Sequence, residues 1–247
     1  MIKKIKELLR SRKTEAAFTA QFQQMLNLEK GSKKRFLLDK ENLFPILTEA
    51  TVMTGFDRHY VYHPAWAARI IRKTAPSKHI DISSTLHFCS ILSAFIPVEF
   101  YDYRPANLAL DNLKALHADL SGLLFESNSI ASISCMHTVE HIGLGRYGDP
   151  MDYDGDLKAI NELKRVLAPN GTLLFVVPLA ATDRIYFNAH RVYSKQQVLE
   201  LFADLELQEF ALIPEDENDG GLVVDPNDTL LEKQSYGCGC FWFKKQP

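Results

Sequence analysis

The chain has 247 residues, of which 46% are hydrophobic and 24% charged, and its formal net charge is -3. This length and balance are typical of one large globular domain, or of one domain with a small appendage. The small net charge argues against bulk nucleic-acid binding, and no apolar run approaches the roughly 20 residues that span a bilayer. Four cysteines are too few for a disulfide scaffold, and no signal peptide is visible, so we expect a cytoplasmic protein.

The first 75 residues are interpreted as an N-terminal helical segment that packs on the core. Its first apolar positions fall on one helical face: Ile2, Ile5, Leu8 and Leu9. Basic residues surround them, so this helix either docks with a solvated polar face or meets an acidic surface. Residues 35–75 continue the helical pattern, with Pro64 in a first turn and Trp66 and Ile70 at helical spacing.

The core, residues 76–247, opens with five apolar runs, at 78–83, 97–102, 115–119, 130–136 and 171–178. Helical patterns fill most of the gaps between them. Strands that alternate with helices predict an α/β fold with a mostly parallel sheet, and such sheets bind ligands at the carboxyl ends of their strands.

The last part of the chain differs in character. Residues 194–204 are typical of a helix, and residues 205–213 and 236–244 are typical of strands. An acidic insertion, 214–232, separates the two strands and shows no obvious crossover helix. We therefore expect an antiparallel pair at one edge of the sheet.

Carboxylates follow the second and third strands. Asp102 is placed to accept hydrogen bonds from a ribose, and Asp119 from an adenine amino group, although either could instead cap a turn or face solvent. The turn after Asp81 contains no glycine, and its Ser83 and Ser84 offer small side chains with hydroxyl groups. Glycines are usual in such turns because they adopt positive φ and let a ligand approach the backbone.

The fourth strand runs into His137, Glu140 and His141, which match the H-x-x-E-H zinc-peptidase spacing. That chemistry requires an uninterrupted helix, whereas this motif leaves a strand directly and glycines follow. We expect the three side chains to point into the ligand crevice, and no metal ligand is assigned. A zinc hydrolase stays a minor alternative. The lone Cys238-Gly239-Cys240 pair is a weak metal signal, and Cys89 and Cys135, which lie in apolar patterns, are expected to be buried thiols.

Residues 145–156 form a glycine-rich, acidic loop. It departs from a calcium loop because Leu157 and Leu163 occupy the positions that would need Gly and Glu. It is interpreted as a substrate clamp or lid, with an ordinary surface loop as the alternative. Its three substrate-binding candidates are Arg146, Tyr147 and Asp149. His190 and Arg191 are further candidates, His190 for catalysis and Arg191 for substrate, with a buried structural pairing as the alternative.

Residues 140–150 and 154–159 resemble the DUF268 family, a methyltransferase-like family of unknown function within the class I S-adenosylmethionine-dependent methyltransferases. Residues 187–193 are similar to a later motif of that family, and the resemblance covers roughly residues 55–200. It implies a Rossmann-like fold whose seven-stranded sheet has an antiparallel last strand.

The resemblance also implies S-adenosylmethionine as cofactor, with S-adenosylhomocysteine as product. The implied cofactor-binding residues are Asp81, Ser83, Ser84, Asp102, Asp119, Leu120 and His137. The implied catalytic residues, near the transferable methyl group, are His137, Glu140 and His141, with His190 as a second choice of base. A small-molecule or glycan-like acceptor is expected, and the sequence does not indicate the oligomeric state.

One departure keeps an alternative open. The family has a glycine after the Asp-Ile pair of the first strand, and this chain has Ser83 there. The alternative is a non-catalytic, methyltransferase-like binding protein that has lost its cofactor.

Overall fold

The computed structural model describes the backbone of residues 2–247 and the side chains from Thr14 onward. The chain divides into two compact units, Met1–Phe56 and Asp57–Pro247. The first unit contains helix α1, Ile2–Lys30, and a short 3-10 helix, Lys40–Asn42. The apolar face expected on the first turns of α1 lies outside the described side chains.

Helix α2, Arg58–Thr74, opens the second unit. The Asp57 side chain caps it by accepting from the Tyr60 amide, and Ala75 ends it at φ 45°. Residues 35–57 were expected to be helical, and this prediction was wrong: their one helical element is the 3-10 helix Lys40–Asn42. Pro64 lies in the second turn rather than the first. A boundary between helical segment and core at residue 75 stays a prediction.

Strands and helices alternate through the rest of the second unit. The strands are β1 His79–Ile82, β2 Val98–Asp102, β3 Leu113–His117, β4 Ile130–Met136, β5 Leu167–Leu179, β6 Arg184–Tyr186, β7 His190–Val192, β8 Glu206–Ile213, β9 Val223–Val224 and β10 Gly237–Lys244. The helices are α3 Leu86–Leu92, α4 Gly155–Val166, α5 Lys195–Leu201 and α6 Asp228–Glu232. In the described chain, no helix is long and apolar enough to cross a membrane.

The main sheet has the strand order β3-β2-β1-β4-β5-β10-β8-β9. Strands β1 to β5 are parallel, and β10 runs antiparallel between β5 and β8. The α/β fold, the parallel core and the antiparallel last strand are thereby confirmed. The sheet has eight strands rather than seven because the acidic insertion contributes β9, which pairs with β8 at the edge. The third strand ends at His117, two residues before Asp119.

Both faces of the sheet are buried, as expected for parallel strands. Alternate residues of β5 divide between two apolar clusters, with Phe175 and Val177 in one and Leu174 and Val176 in the other. Helices α4 and α5 cover the first cluster, and α2 and α3 cover the second. The carboxyl ends of β1, β2 and β4 therefore project from a rigid core at one edge.

Candidate active site

A buried hydrogen-bond network joins β1 to β4. The Ser134 hydroxyl donates to Oδ2 of Asp81, so it accepts from Nε2 of His79 at 2.9 Å. Nδ1 of His79 then accepts from the Ser132 hydroxyl at 2.8 Å. Burial lowers the pKa of His79 to about 3, which keeps the imidazole neutral and so leaves Nδ1 able to accept.

Asp81 carries the network into the turn after β1. It is fully buried, and its Oδ1 accepts from the Ser84 amide at 3.0 Å. Burial raises the pKa of its carboxyl, while the bonds from Ser134 and Ser84 oppose that shift. Asp81 therefore holds the turn through the backbone and lies behind its surface.

Ser83 adopts the backbone conformation that a glycine would adopt in this turn. Its φ is +55°, and its amide and hydroxyl both donate to the Tyr101 carbonyl, at 2.7 and 3.0 Å. Thr138 donates from its hydroxyl to the Ser83 carbonyl at 3.1 Å, which ties the turn to the end of β4. The glycine-free turn thus keeps the positive φ of a glycine-containing one.

The two strand-end carboxylates both stabilise local turns. Oδ1 of Asp102 accepts from the Arg104 amide at 2.7 Å. Oδ1 of Asp119 accepts from the amide and hydroxyl of Ser121, at 2.8 and 2.6 Å. Asp119 remains exposed, and Asp102 is half-buried.

A narrow cleft, here called the strand-end cleft, lies between these turns and the glycine-rich loop. Its volume is about 120 Å³. It is lined by Ser83, Tyr103, Ala118, Asp119, Leu120, Ser121, Thr138, His141, Ile142, Gly143, Tyr147, Asp149, Pro150, Asp152 and Gly155. Pockets for drug-sized ligands usually measure about 300–1,000 Å³, so a nucleoside ligand would need the loop to move outward.

Hydrogen bonds to the Asp149 side chain hold the backbone of the loop in place. The Asp149 carboxylate accepts from the amides of Gly143 and Tyr147, at 2.7 and 3.2 Å, and more weakly from that of Gly145. Gly143 has φ +78°, and an added Cβ would lie 2.1 Å from the Asp152 carbonyl oxygen. This close approach admits only glycine.

Arg191, on β7, fastens the loop to the hairpin of β6 and β7. Its guanidinium donates to the carbonyls of Ile142 at 2.6 Å and Tyr153 at 2.8 Å, and it lies 3.4 Å from Oδ1 of Asp156. Asp156 also accepts from the Tyr193 hydroxyl at 2.9 Å. The buried guanidinium is therefore occupied by the protein's own oxygen atoms.

A second cavity of about 320 Å³, the histidine pocket, adjoins the strand-end cleft. Its lining residues are Asp57, His59, Tyr60, His137, Glu140, His141, Arg146, Tyr147, His190 and Tyr236. His141 and Tyr147 line both cavities. Aromatic rings are stacked around His137, with the His59 ring at 5.1 Å and the Tyr60 ring at 5.4 Å between centroids.

His137 and Glu140 form a buried pair at the floor of the histidine pocket. Nδ1 of His137 lies 2.9 Å from Oε1 of Glu140, and Nε2 lies 3.4 Å from the Cys238 sulfur. Both ring nitrogens of His137 therefore have a close polar neighbour. In the described structure, Oε2 of Glu140 and both ring nitrogens of His63 are buried without a hydrogen-bond partner.

His141 differs from His137 because one of its ring nitrogens can accept a proton. Nδ1 lies 2.6 Å from the Ala189 carbonyl, a distance that requires this nitrogen to donate. In the neutral ring Nε2 then carries a lone pair, and Oε1 of Glu140 lies 3.7 Å away. Burial lowers the pKa of His141, so the neutral form prevails at neutral pH.

Three neighbouring histidines, His59, His63 and His190, also favour the neutral form. Burial and the neighbouring His137 lower the pKa of His59 to about 4, and burial lowers the pKa values of His63 and His190. Arg146 donates to the Ala189 carbonyl at 3.1 Å and is exposed at the rim. His59, His141 and His190 therefore offer neutral nitrogens to the pocket at physiological pH, with the Arg146 cation at its edge.

The structure brings most of the sequence-predicted site residues together. Ser83, Asp119, Leu120 and Asp149 line the strand-end cleft, His137, Glu140, His190 and Arg146 line the histidine pocket, and His141 and Tyr147 line both. Asp81, Ser84, Asp102 and Arg191 line neither cavity.

Sequence reasoning missed several lining residues. His59 and Tyr60 come from the start of α2, and Tyr236 lies next to β10. The density of histidine and tyrosine in residues 57–63 was the available signal in the sequence.

Residues 124–217 match the family described as "Caenorhabditis protein of unknown function, DUF268". The resemblance to DUF268 is confirmed. The DUF268 segment includes β4, the glycine-rich loop, α4, β5 and the β6–β7 hairpin, and so it contains His137, Glu140, His141 and His190. No curated protein matches this chain.

Solved structures confirm the fold. The chain is similar to a putative methyltransferase from Bacillus halodurans, with 15% identity, a TM-score of 0.52, and coverage of 74% of this chain and 99% of that one. It is similar to the N-methyltransferase NodS from Bradyrhizobium japonicum, with 14% identity, a TM-score of 0.52, and coverage of 77% and 98%.

A third similar structure was solved with ligands. It is the Burkholderia thailandensis 1,6-didemethyltoxoflavin-N1-methyltransferase with bound 1,6-didemethyltoxoflavin and S-adenosylhomocysteine. The identity is 11%, the TM-score is 0.51, and the alignment covers 75% of this chain and 79% of that one. Around its DUF268 segment, the chain therefore has the class I methyltransferase fold.

Proposed function

We propose that this chain transfers a methyl group from S-adenosylmethionine to a small-molecule or glycan-like acceptor. One observation carries the proposal. His141 lies between the strand-end cleft and the histidine pocket, and its Nε2 is an unprotonated base at neutral pH. A cofactor in the first cavity and an acceptor in the second would meet at this side chain.

The strand-end cleft has features that suit a nucleoside cofactor. Ser83 keeps the positive φ that lets a ligand approach the turn, and Thr138 holds that turn against β4. Asp119 and Leu120 follow β3, beside the place where an adenine would lie, and Asp102 ends β2 where a ribose diol would lie. The cleft is small in this conformation, so cofactor entry requires the glycine-rich loop, together with the adjoining Gly143, to move.

When bound, S-adenosylmethionine supplies a methyl group on a sulfonium, and its transfer to an acceptor oxygen or nitrogen leaves S-adenosylhomocysteine. The residues of the pocket position the acceptor for in-line attack, and such placement can supply much of the catalysis. His141 takes the acceptor proton on Nε2, while the Ala189 carbonyl fixes its tautomer. The Glu140 carboxyl stabilises the imidazolium that forms 3.7 Å away.

The four predicted substrate residues divide into two pairs with different roles in this proposal. Arg146 and Tyr147 remain as contacts with the acceptor at the rim. Asp149 and Arg191 hold the loop through its backbone, so we assign them to loop positioning.

A turnover assay tests the proposal. The purified chain is incubated with methyl-labelled S-adenosylmethionine and mixtures of small hydroxyl- and amine-bearing acceptors, including monosaccharides, and labelled product is measured. His141→Gln should lower product formation by about 10²-fold or more, because general-base catalysis contributes about that much. Its affinity for S-adenosylhomocysteine should stay within threefold.

The matched control is His87→Gln on α3, which is exposed and lines neither cavity. It should leave turnover unchanged. Wild-type turnover that survives His141→Gln would remove this residue as the base.

The second candidate is a methyltransferase-like binding protein without catalysis. The small cleft and the glycine-free turn favour it. Labelled product from the wild type would eliminate this candidate.

A further inference from the structure

Two histidines that line the histidine pocket lie close to the buried sulfur of Cys238, and the methyl-transfer proposal uses none of the three side chains. His59, His137 and Cys238 each bring one ligand atom, and the three atoms lie within 4.8 Å of one another. They come from α2, from the residue after β4, and from β10, so only the fold assembles them. We propose that these three side chains bind a zinc-class transition-metal ion, whether or not the chain transfers methyl groups.

The spacing between His137 and Cys238 suits a shared ion. Nε2 and Sγ are 3.4 Å apart. In tetrahedral zinc, bonds of about 2.0–2.1 Å to nitrogen and about 2.3 Å to sulfur place two such ligands about 3.6 Å apart. Imidazole and thiolate ligands favour zinc and similar ions over calcium or magnesium.

His137 is oriented as metal-binding histidines usually are. Its Nδ1 faces Oε1 of Glu140 at 2.9 Å, which directs the lone pair of Nε2 toward Cys238. Metal-ligating histidines commonly donate their other nitrogen to a carboxylate, which fixes the tautomer and strengthens the ligand. Glu140 is 1% exposed, and among the described residues its Oε2 has no hydrogen-bond partner. A cation held by His137 would compensate this buried carboxylate.

His59 must adjust to complete the site. Its ring is stacked on that of His137, with 13° between the planes, whereas a metal must lie in the plane of each ring that binds it. His59 is half-buried in the first turn of α2, so its ring can tilt. Three protein ligands leave a fourth position open, and the histidine pocket adjoins it.

Cobalt titration tests this site. The full chain is first treated with a chelator and then titrated with Co²⁺, which gives a thiolate-to-metal charge-transfer absorption when a cysteine binds it. We expect one equivalent of Co²⁺ per chain with this absorption, and its displacement by Zn²⁺.

Three variants locate the ion. Cys238→Ala should abolish the charge-transfer band, and Cys240→Ala should retain it with affinity within threefold. Cys240 is also a buried thiol of β10 and belongs to the same apolar cluster, so it is a matched control for the loss of a buried sulfur. His59→Gln should weaken binding tenfold or more, and its half-buried position favours retention of the fold.

The outcomes decide the proposal. A folded wild type that shows no charge-transfer band would overturn it. So would a band that persists in Cys238→Ala, an equal loss in Cys240→Ala, or unchanged affinity in His59→Gln.

Discussion

Replacing His79 with Gln gives a direct test of the hydrogen-bond network behind the turn after β1. His79 is completely buried and must remain neutral to accept from Ser132 while donating to Ser134. Its pKa is about 3 in the folded chain, against 6.5 for an unperturbed histidine. As the pH falls below 6.5, the unfolded chain gains a proton on His79 that the folded chain does not.

This difference in proton binding sets the sign and size of the change in the free energy of unfolding with pH. Stability from His79 is fully present above pH 6.5 and is lost as the pH falls from 6.5 toward 3. The loss is about 1.4 kcal/mol per pH unit within that window, which amounts to about 2 kcal/mol between pH 8 and pH 5. Gln has no such titration, so the advantage of the wild type over His79→Gln should shrink by about 2 kcal/mol.

Urea unfolding at pH 8, 7, 6 and 5 measures the free energy of unfolding for both proteins. The quantity of interest is the difference between them, because other titrating groups contribute nearly equally to both. The exposed His87→Gln variant should stay within about 0.5 kcal/mol of the wild type, as surface substitutions usually do. A wild-type advantage over His79→Gln that is constant, or that grows toward acid, would refute the neutral-imidazole network.

Three further predictions concern the turn and the loop. Ser83→Gly should leave the free energy of unfolding in urea nearly unchanged, because relief of backbone strain at φ +55° offsets the lost hydroxyl hydrogen bond. Ser83→Ala should lower it by about 1 kcal/mol, because only the hydrogen bond is lost. Equal losses in the two variants would contradict the strain argument. Gly143→Ala should weaken binding of S-adenosylhomocysteine at least tenfold in calorimetry, because its Cβ would collide with the Asp152 carbonyl. Unchanged affinity would show that the backbone around Gly143 does not contribute to cofactor binding. Arg191→Lys should lower the free energy of unfolding by about 2 kcal/mol, since an ammonium cannot reproduce bonds to the Ile142 and Tyr153 carbonyls; no loss would show that Arg191 does not fasten the loop.

The sequence predicted the regular core well because its strands are mostly apolar runs. β4 has the bounds expected for it, Ile130–Met136, in which Ser132 and Ser134 are the only polar residues. The antiparallel β10 was also predictable, because residues 214–232 show no obvious crossover helix in the sequence, and the helix found there, α6, has only five residues. The extra edge strand β9 was missed, since two valines in an acidic stretch give no strand pattern.

Helix α2 was predicted too long for a local reason. The helical spacing that motivated the prediction lies in residues 66–71, and it was extended back to residue 35 through a stretch whose apolar side chains, including Phe44 and Met53, are exposed. The side chain of Asp57 caps the observed helix, and this cap is a better boundary signal than the apolar pattern.

The site was only partly predictable because its residues come from distant parts of the chain. His137, Glu140 and His141 share one motif and could be identified together. His59 and Cys238 reach His137 only through the packing of α2 and the insertion of β10 between β5 and β8. Asp149 and Arg191 looked like ligand contacts, but glycine-rich loops leave backbone groups that need partners, and these two side chains supply them.

Titration of the purified chain with S-adenosylhomocysteine tests the central claim most directly, after denaturation and mass analysis show whether the ligand co-purifies. The account predicts micromolar binding, or ligand already bound, and at least tenfold weaker binding by Asp102→Ala, which corresponds to about 1.4 kcal/mol. No binding at millimolar concentration by the folded chain would contradict it, and would favour a methyltransferase-like protein whose cavities take a different ligand.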